Sequence, residues 1–133
     1  MVLLTISNID IILKLEITII DINSERCIMP REKFVTLTEQ MFYILICLQN
    51  ECCGIDIMEM VSQMTDGRVK VGPGTLYNLL EQFRDEGIIN LTNVVGKKRS
   101  YVITPKGREL LDKEYNRLLS LTQDYIKYMG KEQ

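Results

Sequence analysis

The spacing of apolar residues along the 133-residue chain predicts three consecutive helices. In each segment apolar positions recur three or four residues apart, which places them on one face of a helix. The first helix follows a capping box formed by Thr36 and Glu39, the second begins at Gly54, and the third is ended by Gly87. The predicted core-facing positions are Met41, Ile44, Leu45 and Leu48 in the first helix, Ile57, Val61 and Met64 in the second, and Leu76, Leu79, Leu80 and Phe83 in the third.

The pattern changes after the third helix. Residues 88–94 are rich in β-branched side chains, residues 95–98 have the composition of a turn, and residues 99–103 are again strand-like, which together predict an antiparallel hairpin. Thr104 and Pro105 then supply the cap and the first residue of a last, long helix. The predicted fold class is mainly α with a small β-hairpin, which is the plan of a winged helix-turn-helix with a long C-terminal helix.

The third helix opens with the sequence Gly72-Pro73-Gly74. Proline is tolerated at the first helical position, and the glycines leave the first turn open to a close approach by another molecule. The face opposite the core carries hydrogen-bonding side chains without net charge, namely Thr75, Tyr77, Asn78 and Gln82. Such a face suits a surface that reads another molecule, although a capped amphipathic helix in any small α+β domain has the same pattern.

The composition argues against an enzyme. The chain has no histidine, which excludes Ser-His-Asp and Cys-His catalytic arrangements and removes the commonest metal ligand. The Gly-Pro-Gly-Thr sequence lacks the Lys-Ser/Thr ending of a nucleotide-binding loop, and no pair of carboxylates suggests acid-base chemistry. We therefore expect no catalytic activity, no cofactor and no metal site.

Charge is distributed unevenly along a chain whose net charge is −2. Residues 96–108 hold five basic side chains and no acidic one, and these are Lys97, Lys98, Arg99, Lys106 and Arg108. A local cationic strip is compatible with contact to phosphate, although a solvated hairpin tip has the same composition. Residues 29–133 carry 14 basic and 14 acidic side chains, so this part of the chain is neutral as a whole.

The four cysteines are Cys27, Cys47, Cys52 and Cys53. They contain no Cys-x-x-Cys pair, and no secretory signal precedes them, so we do not expect a disulfide framework. Cys47 falls on the buried face of a helix, where a free thiol acts as a small apolar group. The adjacent Cys52 and Cys53 invite a redox or thiophilic-metal interpretation, which the lack of histidine weakens.

Residues 1–28 differ from the rest of the chain. They contain nine isoleucines, and residues 13–19 alternate apolar and polar side chains like a half-buried strand. The stretch has neither the features of a signal peptide nor the length of apolar residues that a transmembrane helix needs. It is either the result of a mis-set translation start, with Met29-Pro30 as the natural beginning, or an added edge strand. We expect a chain that starts at Met29 to fold and function like the full one, and assign residues 1–35 to an N-terminal extension.

Residues 36–111 resemble the PadR family of bacterial transcriptional regulators. The resemblance rests on several motifs in the same order as in the family. They are Leu37-Thr38-Glu39-Gln40-Met41-Phe42-Tyr43-Ile44-Leu45, Gly72-Pro73-Gly74-Thr75-Leu76-Tyr77, Asp85-Glu86-Gly87-Ile88-Ile89, Lys97-Lys98-Arg99-Ser100-Tyr101 and Thr104-Pro105-Lys106-Gly107-Arg108-Glu109-Leu110-Leu111.

The resemblance implies a DNA-binding function for two segments. The third helix would be the recognition helix, whose N-terminus approaches DNA phosphate, with Thr75 and Tyr77 as backbone or base-edge contacts. We assign base reading to Asn78 and Gln82, because amides pair with adenine. The hairpin tip would be the wing, which meets phosphates beside the main groove through Lys97, Lys98 and Arg99.

The last helix carries a coiled-coil-like seam with spacings of 4, 3, 4, 3 and 4 residues. The seam consists of Leu111, Tyr115, Leu118, Thr122, Tyr125 and Met129, and further apolar residues lie off it. A helix that is apolar on more than one side needs a second partner, and a twin subunit is the simplest one. This is similar to the short PadR subclass, which has one C-terminal dimerisation helix. We therefore divide the rest of the chain into a DNA-binding domain, residues 36–104, and a dimerisation helix, residues 105–133.

The sequence also departs from the family. The family's His-Gly-aromatic step is Cys53-Gly54-Ile55 here, and the position of the tryptophan that stacks flat ligands in drug-binding members is Leu118. The identity of any effector therefore stays open. Three residues of the last helix either line an apolar pocket or form helix-helix core, and these are Tyr115, Tyr125 and Met129.

Two functions follow as expectations. The first is a dimeric, cytoplasmic repressor that binds double-stranded DNA at an inverted-repeat operator, with release by a small apolar or phenolic effector as a further step. The alternative is a winged-helix protein-interaction module without DNA binding, which the neutral charge of residues 29–133 favours slightly.

Overall fold

The computed structural model describes residues 34–130, and the predictions for the N-terminal stretch, including a strand at residues 13–19 and the role of Cys27, lie outside them. The predicted class, mainly α with a long C-terminal helix, is confirmed. In chain order the elements are α1 (Glu39–Cys47), β1 (Cys52–Cys53), α2 (Gly54–Met64), α3 (Pro73–Asp85), β2 (Ile89–Val95), β3 (Lys98–Ile103) and α4 (Pro105–Met129).

The predicted hairpin is part of a three-stranded antiparallel sheet in the order β1-β3-β2. The hairpin pairs β2 with β3 from Ile89 opposite Ile103 to Val95 opposite Lys98, with an irregularity between Leu91 and Asn93. Its turn is shorter than predicted, because Val95 and Lys98 are already paired. The strand β1, which pairs with β3 next to Tyr101, was not predicted, since two residues are too few to show an alternating pattern.

Helix α1 begins later than the predicted capping box places it. Its N-cap is Thr38, whose hydroxyl accepts a hydrogen bond from the backbone N–H of Met41 at 3.2 Å. Thr36 lies outside the helix, so the predicted box of Thr36 with Glu39 is wrong. Both threonines have a suitable side chain, but capping by Thr38 places Leu37 just before the cap, where it is buried in the core.

The core is formed mainly by the apolar faces of α1, α2 and α3. Of the four core positions predicted for α1, three are buried and Met41 is partly buried. All four core positions predicted for α3 are buried. In α2 two of the three are buried, but Met64 is 44% exposed. Met64 is the last residue of α2, and the next residue, Thr65, is buried instead.

A junction around Thr104 joins α3, the hairpin and α4. The hydroxyl oxygen of Thr104 accepts a hydrogen bond from the backbone N–H of Gly107, at 3.1 Å, and thereby caps α4. The hydroxyl proton is shared between the carbonyl oxygens of Gly87 and Ile88, at 2.7 and 2.9 Å. The backbone N–H of Thr104 also donates to Ile88, at 2.9 Å. One residue thus fixes the end of α3 against the start of α4.

The predicted C-terminal glycine of α3 takes part in this junction. Gly87 has a φ of +74°, and its N–H donates to the carbonyl of Arg84 at 3.0 Å while that of Ile88 donates to Phe83 at 2.8 Å. These two bonds form a Schellman motif, which needs a left-handed residue at the position of Gly87. The motif turns the chain from α3 directly into β2.

Helix α4 is fixed to the domain by its first half only. The buried carboxylate of Glu114 accepts a hydrogen bond from the Nε of Arg117 at 3.0 Å. That bond, together with one from the backbone of Leu37, holds the pKa of Glu114 below its usual value. Every residue from Tyr115 to Met129 is exposed. The second half of the helix therefore contributes little to the core of its own domain.

Gly107 marks the closest approach of α4 to the sheet. A β-carbon at this position would lie 2.3 Å from the carbonyl oxygen of Ile88 and 2.6 Å from a side-chain carbon of Ile103. We expect Gly107→Ala to lower the free energy of unfolding by roughly 1–3 kcal/mol, because the backbone next to β2 must move. Urea denaturation measures this difference. The control is Gly74→Ala, since Gly74 lies inside α3 and a β-carbon there would meet no atom within 4 Å. Equal stability of Gly107→Ala and wild type would show that α4 does not pack this closely.

Candidate nucleic-acid interface

The first turn of α3 is open to solvent and uncapped by side chains. The N-cap is Gly72, which makes no side-chain hydrogen bond, Pro73 follows as the first helical residue, and the turn contains no acidic residue. The backbone N–H groups at a helix N-terminus lack partners within the helix and carry partial positive charge. The N-terminus of α3 is therefore suited to an anion.

The two glycines of this turn are not required by the fold. A β-carbon at Gly72 or Gly74 would meet no atom within 4 Å, and neither residue has a positive φ. Alanine is favoured over glycine inside a helix, so the stability of α3 alone does not explain Gly74. Both observations agree with a surface that must remain free of side chains for a second molecule.

The outward face of α3 differs in one respect from the predicted one. Thr75, Tyr77 and Asn78 are exposed, while Gln82 is half-buried. Glu81 also lies on this face, with 59% of its side chain exposed. The predicted face carries no charge and does not include Glu81, although the spacing of four residues between Tyr77 and Glu81 places the two side chains on the same side of a helix.

The five cations of the basic strip divide into two groups. Lys97, Lys98 and Arg99 are exposed at the hairpin tip, and none of them forms an ion pair within residues 34–130. In contrast, Lys106 donates a hydrogen bond to the carbonyl of Glu86 at 2.7 Å, and Arg108 donates to the carbonyl of Gln49 at 3.1 Å. Lys106 and Arg108 therefore bind carbonyls at the ends of helices α3 and α1, whereas the three cations of the tip make no such contact within residues 34–130.

A groove of about 740 Å³ separates α3 from the hairpin tip. Tyr77 and Glu81 form its wall on the side of α3, and residues 96–99 form the opposite wall. The remaining lining residues are Cys53, Ile55 and Tyr101. The structure thus brings Tyr77 together with the three cations of the tip, whereas Thr75, Asn78 and Gln82 do not line this groove.

The loop before α3 is fixed to α1 by residues that sequence reasoning did not identify. Arg68 forms an ion pair with Glu39, and it donates a hydrogen bond to the hydroxyl of Tyr43 at 3.0 Å. The side-chain amide of Gln40 donates to the carbonyl of Lys70 at 2.9 Å. These interactions join residues about 30 positions apart, which explains why no local sequence pattern indicated them. They hold the start of α3 in place.

Cys47 and Cys52 show no sign of an activated thiol. Burial raises the pKa of Cys47 to about 11, and burial also raises the pKa of Cys52, whose sulfur lies 3.4 Å from that of Met60. A raised pKa reduces the fraction of reactive thiolate. Within residues 34–130 no group of three or more potential ligand side chains is placed to hold a metal ion.

The exposed half of α4 carries most of the predicted seam. Leu118, Tyr125 and Met129 are among its exposed apolar residues, as are Tyr115 and four further residues, Leu119, Leu121, Ile126 and Tyr128. The hydroxyl of Thr122 donates to the backbone of α4. Leu111 differs from the others, because it is partly buried against the core of its own domain. No helix among residues 34–130 is both long and apolar enough to cross a membrane.

Comparison with known proteins places this fold among transcriptional regulators. The model of the transcriptional regulator PadR-like family matches residues 44–113, whereas no curated protein matches the chain. A transcriptional regulator from Clostridium thermocellum has a TM-score of 0.58 and 22% identity, over 68% of this chain and 91% of that one. A PadR-like transcriptional regulator from Bacillus cereus has a TM-score of 0.56 and 21% identity over the same shares of the two chains.

A third structure has a described effector. It is BpsR of Bordetella bronchiseptica, whose DNA binding is regulated by 6-hydroxynicotinic acid. BpsR has a TM-score of 0.53 and 20% identity, over 73% of this chain and 64% of that one. At these identities the three structures establish a common fold, the winged helix-turn-helix with a long C-terminal helix.

Proposed function

The chain belongs to the transcriptional regulator PadR-like family, and from this premise we propose that it is a dimeric repressor that binds an inverted-repeat DNA operator. The family consists of transcriptional regulators and not of enzymes. In this proposal residues 36–104 form the DNA-binding domain and residues 105–133 form the dimerisation helix. Residues 1–35 are the N-terminal extension, of which operator binding does not need residues 1–28.

The groove between α3 and the wing, which we define as residues 95–99, is the observation that carries the proposal. A recognition helix lies in the major groove, and contacts from a neighbouring element to the phosphates fix its position. Here Tyr77 and Glu81, on the exposed face of α3, border the same groove as the three free cations of the wing. DNA is a partner that can satisfy the cations and the polar face at the same time.

The proposed role of each residue of α3 follows from its position along the helix. The open N-terminus of α3 contacts a phosphate, and Thr75 and Tyr77 contact the backbone or base edges beside it. Asn78 is exposed and reads a base edge, since an amide can form two hydrogen bonds with adenine. Gln82 is half-buried, one turn further from the N-terminus, and we assign it the outer part of the same reading surface.

The apolar second half of α4 supports the dimer. Leu111 packs against the core of its own domain. The proposed seam therefore consists of Tyr115, Leu118, Thr122, Tyr125 and Met129. The other exposed apolar residues of α4 follow or precede seam positions, as they do when flanking residues of a coiled coil contact the partner helix. Pairing the α4 helices of two subunits would bury both the seam residues and the flanking apolar residues.

Release by an effector is a further step of the proposal. BpsR is regulated by a small hydroxylated aromatic acid, and tyrosines on the exposed half of α4 would suit a flat apolar or phenolic molecule. We place that effector between the paired helices, next to Tyr115 and Tyr125. Localisation in the cytoplasm follows from the proposed action on DNA.

Neutralising the wing should weaken binding to every DNA sequence. The triple variant Lys97→Gln/Lys98→Gln/Arg99→Gln removes three positive charges, so the slope of log affinity against log salt should decrease by up to about 0.9 for each phosphate that is no longer neutralised. Fluorescence anisotropy at several salt concentrations measures both quantities. Lys113→Gln is the control, because Lys113 pairs with Glu109 on α4. A triple variant with wild-type affinity and salt slope would remove the wing from the interface, and absence of DNA binding by the wild type would favour the protein-interaction module.

Gly74→Ala tests the contact at the start of α3. We expect the free energy of unfolding to stay unchanged or rise by up to about 1 kcal/mol, because alanine favours the helix. Affinity for the operator should nevertheless fall by about tenfold, since the new methyl group keeps phosphate from the backbone N–H groups. Denaturation and anisotropy on the same preparation separate the two effects. Unchanged affinity would mean that no phosphate approaches this turn.

Leu118→Asp tests the proposed seam. An unpaired charge in an apolar interface is costly, so sedimentation velocity should show a monomer at concentrations where the wild type is a dimer. Asn116→Asp places a charge on the same helix outside the seam and should leave the dimer intact. If Leu118→Asp remains dimeric, the subunits pair through another surface.

A further inference from the structure

Helix α3 contributes two side chains to the α3–wing groove, and of these the proposed function gives a role to Tyr77 but not to Glu81. It is an exposed carboxylate on the reading face of α3, beside Gln82. Its charged neighbour is Arg84, at 4.0 Å, which is the outer limit of an ion pair. Surface pairs of this kind contribute little to stability. The fold therefore has no evident need for an acid at this position.

Glu81 lies in the groove where the proposed function places DNA. Glu81 lies one helical turn beyond Tyr77, and both line the groove opposite Lys97, Lys98 and Arg99. A carboxylate at this place would be repelled by the phosphates that the wing attracts. Direct contact between this carboxylate and DNA is favourable where it meets a hydrogen-bond donor on a base.

The chemistry of base edges restricts which base can supply that donor. An ionised carboxylate only accepts hydrogen bonds. In the major groove guanine presents acceptors at N7 and O6, and thymine presents an acceptor and a methyl group. Adenine has a donor beside the acceptor N7, whereas cytosine presents the N4 amino group without an adjacent N7. Cytosine is therefore the base that suits Glu81.

We propose that Glu81 selects cytosine at one position in each half-site of the operator. The inference rests on the proposed function, because it requires α3 to enter the major groove. It assigns to Glu81 a role in discrimination rather than in affinity. The carboxylate forms one favourable contact with cytosine and repels the acceptors of other bases.

Selection of binding sites from a random DNA library tests this role. The wild type should select a cytosine at one position per half-site, and replacing that base should lower affinity by about tenfold. Glu81→Gln should lose this preference and shift it toward adenine, with which an amide pairs. The matched control is Asp85→Asn, which removes the same charge one turn further along α3, at an exposed residue outside the groove.

The control separates base reading from general charge. If the sites selected by Asp85→Asn retain the preference for cytosine and those selected by Glu81→Gln do not, Glu81 reads the base. If Glu81→Gln selects the same sites as the wild type, or if both variants change alike, the inference is overturned. A wild type that selects no sequence would instead contradict the proposed function itself.

Discussion

The hydrogen bonds of Thr104 join α3, the hairpin and α4, which are the three elements that the proposed function uses together. Its hydroxyl caps α4 through Gly107 and bonds to the carbonyls of Gly87 and Ile88, where α3 ends and the hairpin begins. The end of α3, the start of the hairpin and the first turn of α4 are therefore joined through one side chain. The absence of a β-carbon at Gly107 permits this contact, because any larger residue would collide with the carbonyl of Ile88.

This junction also explains how a chain without a basic excess can present a cationic surface. Lys106 and Arg108 donate hydrogen bonds to carbonyls at the ends of two helices, whereas Lys97, Lys98 and Arg99 make no such contact in the described part of the chain and are concentrated on the wing. The charge that matters for a polyanion is the local one, since charges farther apart than the Debye length of about 10 Å are screened at moderate salt. The acidic residues elsewhere in the chain therefore do not contradict the proposed DNA binding.

Local patterns in the sequence predicted the parts of the fold that depend on local forces. The apolar face of α3, its end at Gly87 and the start of α4 at Thr104 are each determined by spacing or by one residue type, and the structure has all three. The predicted cap at Thr36 is wrong because Thr38 offers the same hydroxyl with better burial of its neighbour. The strand β1 and the α3–wing groove were not predicted, since both arise from contacts between distant segments. Glu81 could have been identified from its spacing.

Hydrogen exchange of the full chain, with and without the DNA that it selects, tests most directly whether α3 and the wing form a single DNA-reading surface. Slower exchange on DNA binding is expected for backbone amides in residues 72–78 and 95–99 together, with little change in α1. Both segments should lose this protection as salt is raised, because the contacts to phosphate are electrostatic. Protection of one segment without the other, or protection confined to α4, would contradict a common surface.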